Sequence, residues 1–349
     1  TSLYPVIWEG DRPWGMAPTT SPVLKPNLPK SGIAWRSVQS DDFDRPTLKP
    51  DWHFLNRKAA ASYSLTERKG WIRLKGDTSR AHLVQKETDH FYSAFTKMEM
   101  EATDSLAKAG IYLTNGNQKV MARLYSTFDN GKKIVLQCDT AIRIIPNPYG
   151  KTVWFKIERN GHELTGYYSQ YGKTWTSVGP PVNTKNLDKT QPNYNSWVGT
   201  SVGLFAEHKT ADFDLFICKD GYSPLPAYSF SNYYGIQTIT ENSQKLVTTH
   251  TENGGWFMLS GVELGKKSPE TIEITVSADT NGTIEIWADD LGKGKRIAVV
   301  PITATGKNNW QFIRNKISKL TGHHDLYFRI MPGAPSSVKI RSIQFIQSR

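Results

Sequence analysis

The sequence predicts an all-β protein with two β-sandwich (jelly-roll) domains in tandem, preceded by a short aromatic strand and a proline-rich linker. Between Val153 and Cys218, four short strand-like runs follow one another with no helical period between them. Five more alternating runs recur between Ile272 and Ile346, at the spacing typical of a jelly roll. Pro224-Leu225-Pro226 makes a stiff break between the two regions. We therefore expect two hydrophobic cores.

Composition and charge narrow the classes of partner. The chain has 349 residues with 11 Trp, 27 Gly and 19 Pro, an aromatic-rich and turn-rich composition that favours β structure. Its formal net charge is +11, but Lys and Arg are scattered and form no run of five, so we expect no nucleic-acid partner. No apolar run approaches the ~20 residues needed to cross a bilayer, so we expect no membrane partner.

The first segment, residues 1–33, cannot form a core of its own. Leu3–Gly15 is an aromatic strand and turn, and the prolines from Pro18 to Pro29 forbid regular structure. We therefore interpret the segment as an edge strand followed by an extended linker.

The first domain is predicted from the strongest hairpin signal in the chain. Val153–Arg159 and His162–Ser169 alternate around Asn160-Gly161. A Gly-Lys-x-Trp turn, a Gly-Leu-Phe-Ala strand and an Ala-Asp-Phe-Asp-x-Phe strand follow. Together with the segments from Ala34 onward, this run resembles the concanavalin A-like domain that follows the catalytic domain in glycoside hydrolase family 43. The resemblance covers residues 34–218 and implies a β-sandwich.

The second domain shows a different set of motifs. Gly254-Gly255-Trp256, the turn Thr305–Trp310 and the segment Gly322–Tyr327 lie among its predicted strands. These motifs resemble carbohydrate-binding module family 6. The resemblance implies a jelly-roll sandwich that binds polysaccharide.

The N-terminal segment is similar to the end of a family 43 catalytic propeller at Pro5–Trp8 and Lys25–Pro29. The predicted organisation is therefore a propeller tail and linker at 1–33, a concanavalin A-like sandwich at 34–220, a linker at 221–227 and a family 6-like sandwich at 228–349. The resemblance implies that an upstream catalytic propeller is a partner domain, with the catalytic acid and base located there. We assign no catalytic residue within this chain.

Four residues form the candidate carbohydrate site. Trp310 follows a polar turn where family 6 modules present an aromatic wall, and an aromatic ring suits the C–H face of a sugar. The resemblance places His250 at the opposite wall and Ser336 at the cleft asparagine, while Asn309 offers hydrogen bonds. A tryptophan that begins a strand is also common in a core, which is the alternative interpretation of Trp310.

The sequence gives weaker evidence for a metal site than for the carbohydrate site. Family 6 modules often hold a structural Ca²⁺, but here Ser231 and Asn232 stand where an acidic residue is expected and Arg341 stands near the other ligand position. A structural Ca²⁺ is therefore left open with weak support, its ligands are not assigned, and no cofactor is required. His323 and His324 are neighbours on a strand and point to opposite faces, which disfavours chelation. Cys138 and Cys218 are predicted to be buried free thiols.

The predicted function is that of a non-catalytic accessory and carbohydrate-binding region of a family 43 enzyme that degrades xylan or arabinoxylan. Its partners would be plant cell-wall polysaccharide or its oligosaccharides and the catalytic propeller, and we expect a secreted or periplasmic location. Two alternatives remain open. The sandwiches could serve only as a scaffold that stabilises the catalytic domain, or an enzyme site could lie between them.

Overall fold

The computed structural model describes residues 6–15, 34–55, 62–76, 80–116, 121–188, 199–306, 309–331 and 337–347. These residues form β-strands and two short 3₁₀ helices, with no α-helix among them, which confirms the all-β prediction. Within the same ranges no helix is long and apolar enough to cross a membrane. The chain divides into a small unit, residues 1–33, and a compact unit, residues 34–349.

The small unit contains a single described hairpin. Strand β1 (Val6–Glu9) pairs antiparallel with β2 (Arg12–Gly15), with Glu9 opposite Arg12. Trp8 and Trp14 are both exposed. The predicted aromatic strand and turn is therefore a two-stranded hairpin, whereas the predicted proline-rich linker lies outside the described residues.

The first sandwich contains fifteen described strands. They are β3 (His53–Phe54), β4 (Tyr63–Ser64), β5 (Ile72–Leu74), β6 (Arg80–Lys86), β7 (Phe91–Glu99), β8 (Lys108–Thr114), β9 (Met121–Phe128), β10 (Lys132–Cys138), β11 (Ala141–Pro146), β12 (Thr152–Asn160), β13 (Glu163–Ser169), β14 (Thr176–Ser177), β15 (Val182–Asn183), β16 (Ser201–Glu207) and β17 (Ala211–Cys218).

These strands form two facing antiparallel sheets. One has the order β11-β10-β9-β8-β16-β6-β3, and the other has the order β14-β13-β12-β7-β17-β5-β4 with β15 beside β13. Inward-facing residues such as Phe155, Phe213 and Leu204 are fully buried between the sheets. Cys138 and Cys218 are buried free thiols, as predicted, and burial raises the pKa of Cys138 to about 11 and that of Cys218 to about 12.

The central hairpin differs by one residue from the sequence-based expectation. Asn160 remains on β12 opposite Glu163, so the two loop residues are Gly161 and His162 rather than Asn160 and Gly161. Gly161 has φ 64°, and a two-residue hairpin favours glycine at this first loop position because the residue there needs positive φ.

A second glycine, Gly172, packs directly against a tryptophan. It has φ 69°, and a Cβ atom at this position would lie 2.6 Å from Cε3 of Trp154. We expect Gly172→Ala to lower the free energy of unfolding by about 1–3 kcal/mol, because it combines backbone strain with a steric clash. Urea unfolding measures the change.

Gly150→Ala is the matched control for this prediction. Gly150 has φ 71°, yet no atom of the described segments lies within 4 Å of the place that an alanine Cβ would take there. The two variants therefore share the strain and differ in the clash. Equal destabilisation of both variants would show that Trp154 does not restrict Gly172.

The second sandwich contains eleven described strands. They are β18 (Leu225–Pro226), β19 (Asn232–Tyr234), β20 (Ile236–Glu241), β21 (Gln244–Thr249), β22 (Gly255–Glu263), β23 (Thr271–Ala278), β24 (Gly282–Ala288), β25 (Lys295–Ile302), β26 (Gln311–Lys316), β27 (His323–Ile330) and β28 (Val338–Ile346).

Its two sheets enclose a separate core. The first sheet has the order β20-β21-β28-β23-β26 with β18 beside β28, and the second has the order β19-β22-β27-β24-β25. Phe257 and Phe328 are fully buried and stack with ring centroids 5.0 Å apart. Leu225 and Ala227 also belong to this core, so part of the segment predicted as a linker, residues 221–227, packs into the second sandwich.

Polar contacts hold the segment that begins the first sandwich against both domains. Asp89, which precedes β7, accepts hydrogen bonds from Arg36 (2.6 Å) and Lys219 (3.0 Å). The backbone N–H of Trp35 donates to Asp325 of the second sandwich (2.8 Å), and the ring of His323 donates to the carbonyl of Arg36 (3.0 Å). The residues at the start of the first sandwich thus contact both domains.

Candidate functional site

The turn that precedes Trp310 is closed by its own polar groups. The Thr305 hydroxyl donates to the carbonyl of Asn309 (2.8 Å), and the Asn309 side-chain amide donates to the carbonyl of Thr305 (3.0 Å). The Asn309 backbone N–H donates to the carbonyl of Gly306 (3.2 Å). The amide nitrogen of Asn309 therefore fixes the turn, and this turn leads directly into the Trp310 ring.

Trp310 is half-buried and is stacked on one side by an arginine. The guanidinium carbon of Arg341 lies 4.1 Å from the ring centroid. This is a cation–π contact, which holds the indole in place and covers one of its faces. Only the other face is left for a ligand.

Sequence reasoning did not assign Arg341 to this site. The residue lies on β28 at a β-bulge, where the pairing with β23 shifts between Thr275 and Val276. A bulge re-aims the side chains around it, and the alternation of residues does not reveal its position in advance. The Nε atom of Arg341 is buried and has no hydrogen-bond partner among the residues that the structure describes.

His250 lies at the same end of the sheet as Trp310 but not beside it. His250 is exposed and follows β21, whereas Trp310 precedes β26, and β28 and β23 lie between them. Three strand spacings separate their backbones by about 14 Å. Ser336, the fourth predicted site residue, lies outside the described residues. The structure thus places Asn309 next to Trp310 and places His250 across the sheet from both.

The positions considered for a metal are occupied by other interactions. The Ser231 hydroxyl lies 2.6 Å from that of Ser260. His323 contacts Arg36, while His324 lies 2.9 Å from Asp289 and 2.9 Å from the carbonyl of Thr321. In the described part of the chain, no group of three or more His, Cys, Asp or Glu side chains is placed to hold a metal ion.

Two acidic residues of β17, Asp212 and Asp214, are bound by cations. Asp212 accepts hydrogen bonds from Arg73 (2.7 Å) and Arg68 (3.2 Å), and Asp214 pairs with Lys97 (3.0 Å). Burial raises the pKa of Asp212, but the hydrogen bonds and charges of the two arginines outweigh burial and lower it. Both carboxylates therefore have partners in the outer surface of their sheet.

One carboxyl group has a raised pKa. Burial raises the pKa of Asp220, and its oxygens accept hydrogen bonds from the Ser223 hydroxyl (2.9 Å) and the Tyr222 backbone N–H (3.1 Å). These contacts fix the turn that leads into the second sandwich. A raised pKa at this position follows from burial in a domain junction, which is a structural role.

Two cavities flank the junction of the sandwiches, and the aromatic pair of Phe91 and Tyr228 lines both. The larger has a volume of about 670 Å³ and is also lined by Trp35, Phe230 and Asp89. Burial opposes ionisation of Asp89, but the charges of Lys219 and Arg36 prevail and hold its pKa below the ordinary value. Its ionised carboxylate therefore binds the two cations rather than acting as an acid.

The comparisons with known proteins agree with this architecture. Residues 40–219 match the family model described as the beta xylosidase C-terminal concanavalin A-like domain. The chain belongs to this family. Residues 226–347 match the family 6 carbohydrate-binding module. The protein therefore combines the concanavalin A-like domain of family 43 glycoside hydrolases with a carbohydrate-binding module, and Trp310, Asn309 and His250 all lie in the module.

Individual relatives are longer than the parts that match. The family 43 protein BlXynB of Bacillus licheniformis is 28% identical with a TM-score of 0.54, over 62% of this chain and 46% of that one. A xylan beta-1,4-xylosidase of Bacillus halodurans is 25% identical with a TM-score of 0.52 over the same shares.

A curated relative matches a shorter stretch. The non-reducing end alpha-L-arabinofuranosidase BoGH43B of Bacteroides ovatus is 41% identical over 80 residues, which are 22% of this chain and 15% of that protein. The chain thus spans less than half the length of each of these three relatives.

Proposed function

We propose that this protein is the carbohydrate-binding accessory region of a family 43 glycoside hydrolase that acts on xylan or arabinoxylan, with a catalytic propeller as its partner domain. The observation that carries the proposal is the position of Trp310, which a closed turn holds at the end of a sheet in the family 6 module. The names of two relatives, the xylosidase of Bacillus halodurans and the arabinofuranosidase of Bacteroides ovatus, support a pentose polymer as the substrate.

The geometry limits the affinity that this site offers. Arg341 covers one face of the indole, so a single ring face of about 50–80 Å² contributes about 1–2 kcal/mol. Ordering of the sugar offsets part of this gain. We therefore propose weak binding, with dissociation constants in the high micromolar to millimolar range. Because xylan is a large extracellular polymer, we also propose that the protein works outside the cytoplasm.

We expect Trp310→Ala to weaken the binding of xylohexaose by about ten-fold or more, because it removes the stacking surface. The measurement is a calorimetric titration of the whole chain. Tyr234→Ala is the matched control, since Tyr234 is an exposed aromatic residue of the same module on the opposite sheet. Equal affinities of the parent and Trp310→Ala would remove Trp310 from the site.

Urea unfolding of the same variants accompanies this titration. If Trp310→Ala unfolds at a much lower urea concentration than Tyr234→Ala, Trp310 is a packing residue rather than a platform. The interpretation of Trp310 as a sugar-binding residue requires lost binding with an unchanged unfolding midpoint.

A further inference from the structure

The smaller cavity between the sandwiches has the dimensions of a ligand site. Its volume is about 520 Å³, within the ~300–1,000 Å³ typical of small-molecule pockets. The first sandwich contributes Phe91, Asn160 and His162, and the second contributes Tyr228, Lys245 and Arg341. Neither domain forms this cavity alone, so the feature belongs to their combination.

Two cations line the cavity, and Glu163 lies close enough to Tyr228 for its charge to add to burial in raising the pKa of that hydroxyl. The two cations are Lys245 and Arg341, and neither forms an ion pair with any residue in the described ranges. No Asp or Glu is among the described residues that line the cavity. Within the described part of the module, the buried Nε of Arg341 also lacks a hydrogen-bond acceptor, which a buried donor ordinarily has. These observations point to an anionic ligand with oxygen acceptors.

The acidic partner of His162, which also lines the cavity, does not neutralise the two cations. His162 lies 2.9 Å from Asp188, and Asp188 also pairs with the buried Arg159 at 3.1 Å. The charge of Asp188 is therefore shared with Arg159 and does not neutralise Lys245 or Arg341. The same contact anchors His162 at the rim of the cavity.

Two aromatic rings, Phe91 and Tyr228, also line the cavity. Phe91 and Tyr228 meet edge to face with ring centroids 5.2 Å apart, and the Tyr228 hydroxyl donates to the Asn160 side-chain carbonyl (2.7 Å). The hydrogen bond holds the Tyr228 ring across the junction. A fixed aromatic surface beside two cations suits a ligand that carries both an apolar ring face and a carboxylate.

We propose that this cavity binds an acidic sugar, a uronic acid unit carried by the polysaccharide, with Arg341 and Lys245 holding its carboxylate. The inference rests on the proposed function, which it deepens by naming the substituent that is recognised. Binding here is separate from stacking on the free face of Trp310, although Arg341 contacts both places.

The test compares two xylo-oligosaccharides of equal length, one unsubstituted and one carrying a single glucuronic acid, titrated into the whole chain. We expect the acidic ligand to bind about ten-fold more tightly than the neutral one. Lys245→Gln should abolish most of this advantage, as should Arg341→Gln. Lys293→Gln, which removes an exposed lysine elsewhere in the same module, should preserve it.

The outcomes separate this proposal from the proposed function. Equal affinity for the two ligands would overturn the acidic-sugar site, while Trp310-dependent binding of both would leave the proposed function intact. A loss of the advantage in Lys293→Gln as large as in Lys245→Gln would also overturn it, because a long-range field would then explain the preference. Competition by inorganic phosphate as strong as that by glucuronate would overturn sugar recognition. Lys245 is exposed, so its variant tests the site without threatening the fold.

Discussion

Replacement of Asp89 by alanine is expected to lower the free energy of unfolding by about 3–5 kcal/mol. The carboxylate binds Arg36 and Lys219, whose side chains are 7% and 1% exposed. Removal of one partner from a buried ionic group leaves the others charged in a medium of low polarity, and this cost exceeds the value of the pair itself. Urea unfolding followed by tryptophan fluorescence measures the loss.

Asp42→Ala is the matched control for Asp89→Ala. Asp42 likewise pairs with a cation, Lys266 of the second sandwich at 2.8 Å, but the Lys266 side chain is 80% exposed. An exposed pair of this kind contributes about 0–1 kcal/mol because solvent screens it. Similar losses in both variants would show that burial of the Asp89 cluster does not determine its contribution.

The cluster of Asp89, Arg36 and Lys219 also predicts that the free energy of unfolding depends on pH. The charges of Lys219 and Arg36 hold the pKa of Asp89 below its ordinary value despite burial, so the folded state binds the proton less readily than the unfolded state. The stabilising contribution is therefore complete above the unfolded pKa, about 3.9, and is lost as the pH falls through the folded pKa. We expect the difference between the parent and Asp89→Ala to shrink below about pH 4, and a constant difference from pH 7 to pH 3 would contradict this assignment.

Phe328→Ala is expected to cost the second sandwich about 3–5 kcal/mol. Phe328 is fully buried and stacks on Phe257, so its removal forfeits transfer free energy and leaves a cavity. The core of the first sandwich contains neither residue. We therefore expect limited proteolysis of the variant to cut the second sandwich first.

Phe312→Ala serves as the control in the same sandwich. Phe312 is 70% exposed on β26, and a substitution at such a position changes stability by about 0.5 kcal/mol or less. Comparable proteolysis of the Phe312→Ala and Phe328→Ala variants would show that Phe328 is not essential to the core. Retained xylohexaose binding by Phe312→Ala would in addition exclude Phe312 from the stacking surface.

The tandem arrangement could be predicted from the sequence because the signals for a strand are local. Val153–Arg159 alternates with a period of two, and a glycine follows at the point where the chain must reverse. The motif around Gly172 and the motif around Trp310 are likewise local, since each spans only a few neighbouring residues. Their resemblance to two families could be recognised from the sequence, and both matches were confirmed.

Only the tertiary structure shows which side chains distant in the sequence come into contact. The contact of Arg36 with Asp89 spans 53 positions and that of Asp89 with Lys219 spans 130, and no local pattern encodes such pairings. The bulge at Arg341 brings its guanidinium onto Trp310, so that one face of the predicted aromatic wall is covered. Period and turn chemistry act between chain neighbours, whereas charge pairing and ring stacking act between groups that only the folded chain brings within a few ångströms.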